Sequence, residues 1–492
     1  MPPAVPTRAH SKIEAGLRVL AGIAIALLLG HLAILLWARH EFTQVESVVA
    51  LHSNMLADTG RLYYDLGSYP FTVSPYGPIF YWAVATLHGS GVPLFQAGRC
   101  ISFAATLLLL WLAWRLLQML VVDRFARVLG LLLAAVTANL LHWGTTGQVD
   151  LLALTFSFAA FVQFIAWRQD RAVWRLVAAG VLVVLAVFTK QTAIAAGAAV
   201  AIALLIEDRK CGLIWVASMA AVGLTAVATV NHVTEGRYLA NAVHANLNPF
   251  ALEKLQAQTT YILLTAGGLL LLAVLGLRKW HPLYLYTLLA GAVFLATAAK
   301  VGSDLNYQVE FTLLLAVCAA CTLDRLHFFE KLVARDRSWV TLLPIPILLH
   351  IVLNTVLTGR VLLERVLYEK LQREETAALQ PYLDGRQRVL STQLNTLVHT
   401  HGRMEVEPLI YTLLVGAGLS DAEPVRRDLA AQRFDTVILY EDVFTRQADW
   451  KNSEVPSLPD VQLAEIRKHY RLARHIPGRY LQGDYVYEPI RD

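Results

Sequence analysis

Four charged side chains stand beside or inside apolar runs of this sequence, where a charge needs a chemical reason. They are Glu46, Asp150, Lys190 and Glu310. A lysine at the depth of a membrane helix centre costs roughly 2.5–3.5 kcal/mol, so such a residue needs a partner or a function. At a membrane boundary a carboxylate can accept a proton, and an ammonium can hold a phosphate. These positions therefore indicate chemistry at the ends of membrane spans.

The stretch 42–82 follows the first apolar run and carries the first of these residues. It contains Glu46, Asp58 and Asp65, is half apolar, and is broken by three prolines. We expect it to fold back on the outer membrane surface and to supply Glu46 as a catalytic carboxylate. Asp58 and Asp65 lie in a more polar part and are expected to be solvated or capping. The tyrosines, among them Tyr76, either form an interfacial aromatic belt or stack on a sugar ring.

Asp150 and Lys190 each allow two interpretations. Asp150 begins an apolar helix after the polar segment GTTGQV, so it is either a first-turn carboxylate stabilised by the helix dipole or a substrate-facing residue. Lys190 lies between two apolar helices with threonine and glutamine as its polar company, so we expect it to have an anionic partner. Its amine either extends to the interface or binds a lipid phosphate.

Three polar residues of the segment NYQVE share one helical face. Asn306 and Tyr307 precede Glu310 by four and three residues, which places the three side chains side by side on a helix. An intramembrane carboxylate such as Glu310 is either part of a functional site or paired with a buried cation. Arg99, at the start of the second apolar run, is one candidate partner, and its alternative role is an interfacial one.

The composition is that of an integral membrane protein. The chain has 56% hydrophobic and 16% charged residues, whereas soluble domains have about 45–50% apolar and about 25% charged residues. We predict an α-helical polytopic membrane protein with eleven crossings. The predicted crossings are residues 17–37, 97–117, 128–143, 151–167, 173–189, 191–206, 212–230, 260–277, 282–299, 307–324 and 339–357.

Basic residues predict which loops face the cytoplasm. They cluster in alternate loops, as the positive-inside bias requires. We therefore expect a cytoplasmic N-terminus and place the segment 79–87, which is too short to span, as an outer juxtamembrane helix started by Pro78. The basic clusters are Arg115/Arg124/Arg127, Arg168/Arg171/Arg175, Arg209/Lys210, Arg278/Lys279 and Arg325/Lys331/Arg335/Arg337.

The pattern changes from Arg388 onward. Three short apolar strands, RVLST, FDTVILYE and GDYVYEP, alternate there with helical stretches, which predicts a small extracytoplasmic α/β domain. We therefore divide the chain into a transmembrane catalytic domain, residues 1–358, with an outer juxtamembrane loop at 38–92, and an extracytoplasmic α/β domain, residues 359–492. The tail carries no glycine-rich phosphate motif, so we assign it no nucleotide.

The order and spacing of Glu46, PYGPIFYW, Arg99, QVDLLAL and FTKQTA resemble the GT-C glycosyltransferases, in particular bacterial aminoarabinose and protein-mannosyl transferases. The resemblance covers about residues 17–325 and extends more weakly to the tail. It implies a polytopic enzyme that takes a sugar from a polyprenyl-phosphate donor at the outer face of the cytoplasmic membrane.

The resemblance also implies roles for individual residues. Glu46 corresponds to the acidic residue after the first helix, but Val45 stands where the family's common Asp-Glu pair has its aspartate. Asp150 corresponds to the second outer carboxylate, and Lys190 to the lysine associated with the lipid phosphate. We expect Glu46 and Asp150 to be catalytic, and Lys190 with Arg99 to bind the donor phosphate. Residues Tyr76, Asn306, Tyr307 and Glu310 are the predicted substrate-binding residues.

The predicted reaction is an inverting transfer from the lipid-linked donor to an acceptor hydroxyl of a glycan, lipid or protein. No metal ligand set is predicted, and the sequence neither requires nor excludes a divalent metal. The alternatives are a lipid-linked saccharide polymerase or ligase, which would use the same basic residues, and a lipid or solute transporter. A transporter needs charges along a path across the bilayer, whereas here they gather near the outer ends of spans. The modest net charge of +5 does not indicate a nucleic-acid partner.

Overall fold

The computed structural model describes residues 8–246, 250–277, 280–300, 302–334, 339–445, 457–478 and 483–491. The described chain is mostly helical and forms two compact units. The first unit comprises Met1–Trp37, Arg99–Thr225 and Asn248–Leu363, and the second comprises Ala38–Gly98, Ala226–Leu247 and Glu364–Asp492. Four residues of the predicted basic clusters, Arg278, Lys279, Arg335 and Arg337, lie outside the described residues.

The helices recur along most of the chain. In chain order they are α1 (Arg8–Trp37), α2 (Gln44–Thr59), α3 (Pro78–Gly89), α4 (Leu94–Leu120), α5 (Arg124–Ala135), α6 (Ala138–Gly144), α7 (Asp150–Asp170), α8 (Val173–Thr189), α9 (Ala195–Glu207), α10 (Arg209–Val233), α11 (Arg237–Ala242), α12 (Leu252–Gly276), α13 (Pro282–Ala298), α14 (Val309–Arg325), α15 (Phe328–Ala334), α16 (Pro344–Leu379), α17 (Leu394–Thr400), α18 (Pro408–Gly416), α19 (Glu423–Ala430) and α20 (Asp460–His469).

Helix occupies most of each predicted crossing. Seven of the described helices are long and apolar enough to cross a membrane, or eight if the bent pair α5 and α6 is one span. The helices α8, α9 and α13 are apolar but shorter. The chain is therefore a multi-pass membrane protein, and the number of eleven crossings stays a prediction.

The predicted single span at 128–143 is wrong in one respect, because the helix breaks in its middle. Helices α5 and α6 meet at an angle of 56°, and Thr137 between them has an extended ψ of 118°. A break inside a membrane leaves backbone groups that water cannot satisfy. Here the Ala138 N–H donates to Asn354 Oδ1 at 3.0 Å, and His350 Nε2 lies 3.2 Å from the Leu133 carbonyl oxygen. The helix α16 therefore completes the hydrogen bonding of the break.

The second unit contains a four-stranded sheet with the strand order β1-β2-β4-β3. The strands are β1 (Val389–Ser391), β2 (Thr436–Leu439), β3 (Tyr470–Ile476) and β4 (Asp484–Pro489). The strand β1 is parallel to β2, and the other two pairings are antiparallel. The sequence patterns anticipated β1, β2 and β4 but not β3, because its alternation is interrupted by a bulge between Leu472 and Arg474.

The second unit also includes the outer loop predicted at 38–92. Helix α3 begins at Pro78, as predicted, with the proline in its first turn. The Phe71 N–H donates to the Glu405 carbonyl at 2.8 Å, and the Glu407 N–H donates back to the Phe71 carbonyl at 2.9 Å. Phe71 is fully buried in an apolar core that contains Leu390 and residues of the other strands. The loop and the tail therefore form one core.

Three polar side chains are buried beside this backbone pairing. Thr72 Oγ1 lies 2.9 Å from His52 Nε2 and 2.8 Å from Glu407 Oε2. The His52 Nδ1 atom lies 2.9 Å from the Val48 carbonyl oxygen, so Nδ1 carries a hydrogen and Nε2 of a neutral ring is an acceptor. Thr72 has one hydrogen for two neighbours. A protonated Glu407 and a neutral His52 satisfy all of these contacts.

The titration of the two groups agrees with this arrangement. Burial raises the pKa of Glu407 from its ordinary 4.5 to about 7, and the Val73 N–H opposes the rise. Burial lowers the pKa of His52 to about 4. The folded protein therefore binds more protons at Glu407 than the unfolded chain does between about pH 4.5 and 7. The contribution of Glu407 to stability falls as the pH rises through that window.

The substitution Glu407→Gln tests this account, because glutamine keeps the shape and donor capacity of the protonated acid and cannot ionise. We expect its gain in stability over the wild type to be near zero at about pH 5 and to reach on the order of 1–3 kcal/mol at about pH 8. Thermal unfolding in one detergent measures the difference. The exposed Glu253→Gln serves as the control, and an equal shift in both variants would contradict the assignment.

Candidate active site

The first unit brings Asp150 and Lys190 together in a buried ion pair. Lys190 follows the last residue of α8, and Asp150 is the first residue of α7. The Lys190 Nζ lies 2.5 Å from Asp150 Oδ1, and the side chains are only 6% and 4% exposed. The expected anionic partner of Lys190 is therefore Asp150. The first-turn position of Asp150 also agrees with stabilisation by the helix dipole.

The residues Asn306 and Tyr307 complete this arrangement from a short 3₁₀ turn, Leu305–Gln308. The Asn306 Nδ2 donates to Asp150 Oδ1 at 3.0 Å. The Lys190 Nζ lies 3.8 Å from the centroid of the Tyr307 ring, which is a cation–π contact. The ammonium is thus held by a carboxylate and by an aromatic face.

Glu310 is buried one turn further along, in the first turn of α14. The Tyr286 hydroxyl donates to Glu310 Oε1 at 2.5 Å, and the Ser157 hydroxyl donates to the same oxygen at 3.0 Å. In the described part of the chain these two hydroxyls are its hydrogen-bond partners, so the candidate partner Arg99 is not paired with Glu310. Arg99 is fully buried elsewhere in the first unit.

Sequence reasoning missed both partners of Glu310. Ser157 lies among phenylalanines in α7, and Tyr286 lies in the apolar helix α13. A tyrosine in the middle of an apolar helix needs a partner for its hydroxyl, and that was the signal available. The sequence did not indicate which residue the partner is, because α13 and α14 meet only in the folded chain.

These residues line an open cavity, whose empty space together with the adjoining open solvent is about 330 Å³. Its wall contains hydroxyl, amide, carboxylate and ammonium groups. One of them, Asn306 Oδ1, is a buried acceptor with no hydrogen-bond partner in the described residues. A ligand hydroxyl can satisfy such an acceptor. The polar lining residues are Asp150, Lys190, Thr192, Asn306, Tyr307 and Glu310.

Glu46 and Tyr76 belong to the second unit. The Glu46 carboxylate accepts the Phe42 N–H at 2.7 Å, beside Thr43, the residue at the N-cap position of α2. Glu46 is 1% exposed. This side chain therefore satisfies a backbone donor at the helix start, as a carboxylate in the first turn commonly does. Tyr76 is half-buried, and its carbonyl accepts the Tyr63 hydroxyl at 2.9 Å.

A second carboxyl group, Glu41, lies near Glu46 and was not anticipated from the sequence. The Ser47 hydroxyl donates to Glu41 Oε2, and both side chains are buried. Burial raises the pKa of Glu41 to about 7, and the charges of Glu46 and Glu375 add to the rise. The described residues contain no group of three or more histidine, cysteine, aspartate or glutamate side chains placed to hold a metal ion.

Comparison with known proteins supports the architecture. ArnT from Cupriavidus metallidurans in the apo state aligns with a TM-score of 0.64 at 14% identity, over 95% of this chain and 98% of that chain. The chain has the GT-C fold. ArnT of the same organism bound to undecaprenyl phosphate gives a TM-score of 0.63 at 12% identity, over 96% of this chain and 98% of that chain. ArnT is a GT-C glycosyltransferase.

The sequence profile of the family described as dolichyl-phosphate-mannose-protein mannosyltransferase matches residues 70–232, about a third of the chain. The matched segment contains Arg99, Asp150 and Lys190. No curated protein matches the chain. The GT-C likeness predicted from the sequence is therefore confirmed.

The hydrogen bonds of Glu310 generate a stability prediction. We expect Tyr286→Phe to destabilise the protein by about 1–3 kcal/mol, because the buried carboxyl loses one of its two donors. Thermal unfolding in detergent measures the loss. Tyr261→Phe is the control, since the Tyr261 hydroxyl donates to an uncharged amide, Asn139 Oδ1, at 3.2 Å. A larger loss for Tyr261→Phe would contradict the prediction.

Proposed function

We propose that this protein is a membrane glycosyltransferase that moves a sugar from a polyprenyl-phosphate donor to an acceptor hydroxyl. The observation that carries the proposal is the buried Lys190–Asp150 pair at the wall of a polar cavity, within the GT-C fold. Burying an ammonium inside an apolar helix bundle is costly. A ligand that is itself an anion explains why the chain keeps this cation.

Lys190 is the proposed ligand of the donor phosphate. In the transfer, the bond between the anomeric carbon and the phosphate oxygen breaks, and the lipid phosphate leaves as an anion. Such a leaving group needs charge stabilisation more than it needs a proton. The ArnT structure with bound undecaprenyl phosphate supports a ligand of this class for the fold. Arg99 is the second proposed phosphate ligand, on the resemblance to the family.

The cavity wall suits the sugar of the donor. Asn306 Oδ1 lacks a hydrogen-bond donor in the described chain, and Glu310 adds a carboxyl group to the same wall. Sugar hydroxyls supply the donors that these oxygens accept. The Tyr307 ring offers an apolar face beside them. We therefore propose Asn306, Tyr307 and Glu310 as sugar-binding residues, with Tyr76 as a further substrate-binding residue.

Glu46 is the proposed general base. It would take the proton of the acceptor hydroxyl while the hydroxyl oxygen attacks the anomeric carbon, and a single displacement of this kind inverts that centre. The assignment rests on the family resemblance.

The protein has a defined orientation in the membrane under this proposal. The reaction takes place at the outer face of the cytoplasmic membrane, with eleven crossings, a cytoplasmic N-terminus and the tail outside as an α/β domain. The alternating basic clusters support this orientation. The acceptor is a hydroxyl of a glycan, a lipid or a protein.

The substitution Lys190→Met tests the phosphate role. We expect it to weaken binding of a long-chain polyprenyl phosphate by at least about tenfold, because the Lys190 ammonium at the cavity wall is lost. Binding is measured on the full chain in nanodiscs, with the unphosphorylated polyprenol as the reference ligand. Lys210→Met removes an exposed cation and should leave the affinity unchanged. Equal affinities for all three proteins would reject the proposal for Lys190.

The substitution Glu46→Gln tests the base role. Glutamine retains an oxygen that accepts the Phe42 N–H, so we expect the melting temperature and lipid-phosphate affinity to stay unchanged. Sugar transfer should fall by about 10²–10⁴-fold, because the group that accepts the proton is gone. The measurement is the transfer of labelled sugar from lipid donor to envelope acceptors. Normal transfer by the folded variant would remove Glu46 from the mechanism.

A further inference from the structure

The Lys190 ammonium is already engaged in the structure described here. Its Nζ lies 2.5 Å from Asp150 Oδ1 and 3.8 Å from the centre of the Tyr307 ring. Both charged side chains are almost completely buried. In such surroundings an ion pair is much stronger than in water. A phosphate that binds Lys190 must therefore compete with Asp150 for the same ammonium.

The contacts of Asp150 are those of a counter-ion. Its Oδ1 accepts from both Lys190 Nζ and Asn306 Nδ2, and its place in the first turn of α7 favours a negative charge. A general base must instead present an oxygen to the substrate hydroxyl. The Asp150 Oδ1 atom is already occupied by the Lys190 ammonium and the Asn306 amide.

We propose that Asp150 is a positioning residue that holds Lys190 in the resting protein and yields it to the phosphate of the lipid donor. The inference rests on the proposed function, in which Lys190 binds that phosphate. It changes the role of Asp150 from a catalytic carboxylate to a counter-ion that the donor displaces.

Asn306 limits the destabilisation of the Asp150 carboxylate during this exchange. When Lys190 turns to the phosphate, a buried carboxylate without a partner would be strongly destabilising. The Asn306 amide keeps donating to Asp150 Oδ1, so one hydrogen bond remains. The phosphate and Asp150 carry like charges, and their repulsion limits how tightly the resting arrangement can bind the donor.

The substitution Asp150→Asn tests the inference. It removes the competing charge and keeps the size of the side chain. We expect the affinity for polyprenyl phosphate to rise by at least about fivefold. The probe is the same lipid in nanodiscs, with the unphosphorylated polyprenol and inorganic phosphate as further ligands. Tighter binding of the lipid phosphate, with unchanged polyprenol binding, supports the counter-ion role.

Asp304→Asn is the matched control. Asp304 is near enough to Asp150 for their charges to interact, but it caps the turn at Leu305, and its carboxylate is not the partner of Lys190. The same change of charge at position 304 should alter the affinity by less than about twofold. A similar gain in both variants would mean that only the general potential had changed, and it would overturn the inference.

The Lys190→Met variant separates the inference from the proposed function. Unchanged phosphate binding in Lys190→Met would overturn the phosphate role itself. Weaker binding in Lys190→Met together with unchanged or weaker binding in Asp150→Asn would leave the phosphate role intact and overturn the counter-ion role. The two failures are therefore distinguishable.

The double variant Asp150→Asn with Asn306→Asp covers the case in which the single variant does not fold. It exchanges the two side chains, so a carboxylate remains beside Lys190. If Asp150 acts only as a counter-ion, a carboxylate at either position can replace it. We then expect wild-type phosphate affinity, and sugar transfer within about threefold of the wild type. Wild-type phosphate affinity with transfer reduced by about 10²-fold or more would show that Asp150 itself takes part in the chemistry, and it would overturn the proposal.

Discussion

The first unit depends on the neutralisation of one buried ammonium. Lys190 follows an apolar helix and is buried with Asp150, which begins another. The desolvation of both charges has to be offset by their short contact and by further hydrogen bonds. The 3₁₀ turn that carries Asn306 and Tyr307 supplies those contacts, and α14 starts directly after it. The positions of α7, α8 and α14 are thus linked through one charge.

Much of this site could be predicted, because intramembrane charges are expensive and therefore informative. Asp150, Lys190, Asn306, Tyr307 and Glu310 were all recognised as unusual for their places in the chain. The need of Lys190 for an anion was also evident. The identity of that anion was not evident, because Asp150 and Lys190 are 40 residues apart and their pairing depends on how α7 and α8 pack. For the same reason Arg99 was a candidate partner of Glu310, whereas in the structure the hydroxyls of Ser157 and Tyr286 donate to Glu310.

The second unit was harder to predict than the first. Apolar periodicity locates membrane helices well, but the irregular stretch after α2 has no period to read. Its Phe71 enters the core of the tail through backbone hydrogen bonds with residues 405 and 407. Backbone pairing of this kind leaves little trace in side-chain sequence. The strand β3 was missed because its bulge breaks the alternation, and the break between α5 and α6 because nothing near Thr137 is a glycine or proline.

That break between α5 and α6 has a consequence for the order in which the protein is assembled. A chain is inserted from its N-terminus, so α5 and α6 enter the bilayer long before α16 is synthesised. Until then, the Ala138 N–H has no Asn354 to receive it, and the bend is not yet fixed. The hydrogen bonding of the kinked segment is therefore completed by α16, the last of the described long apolar helices.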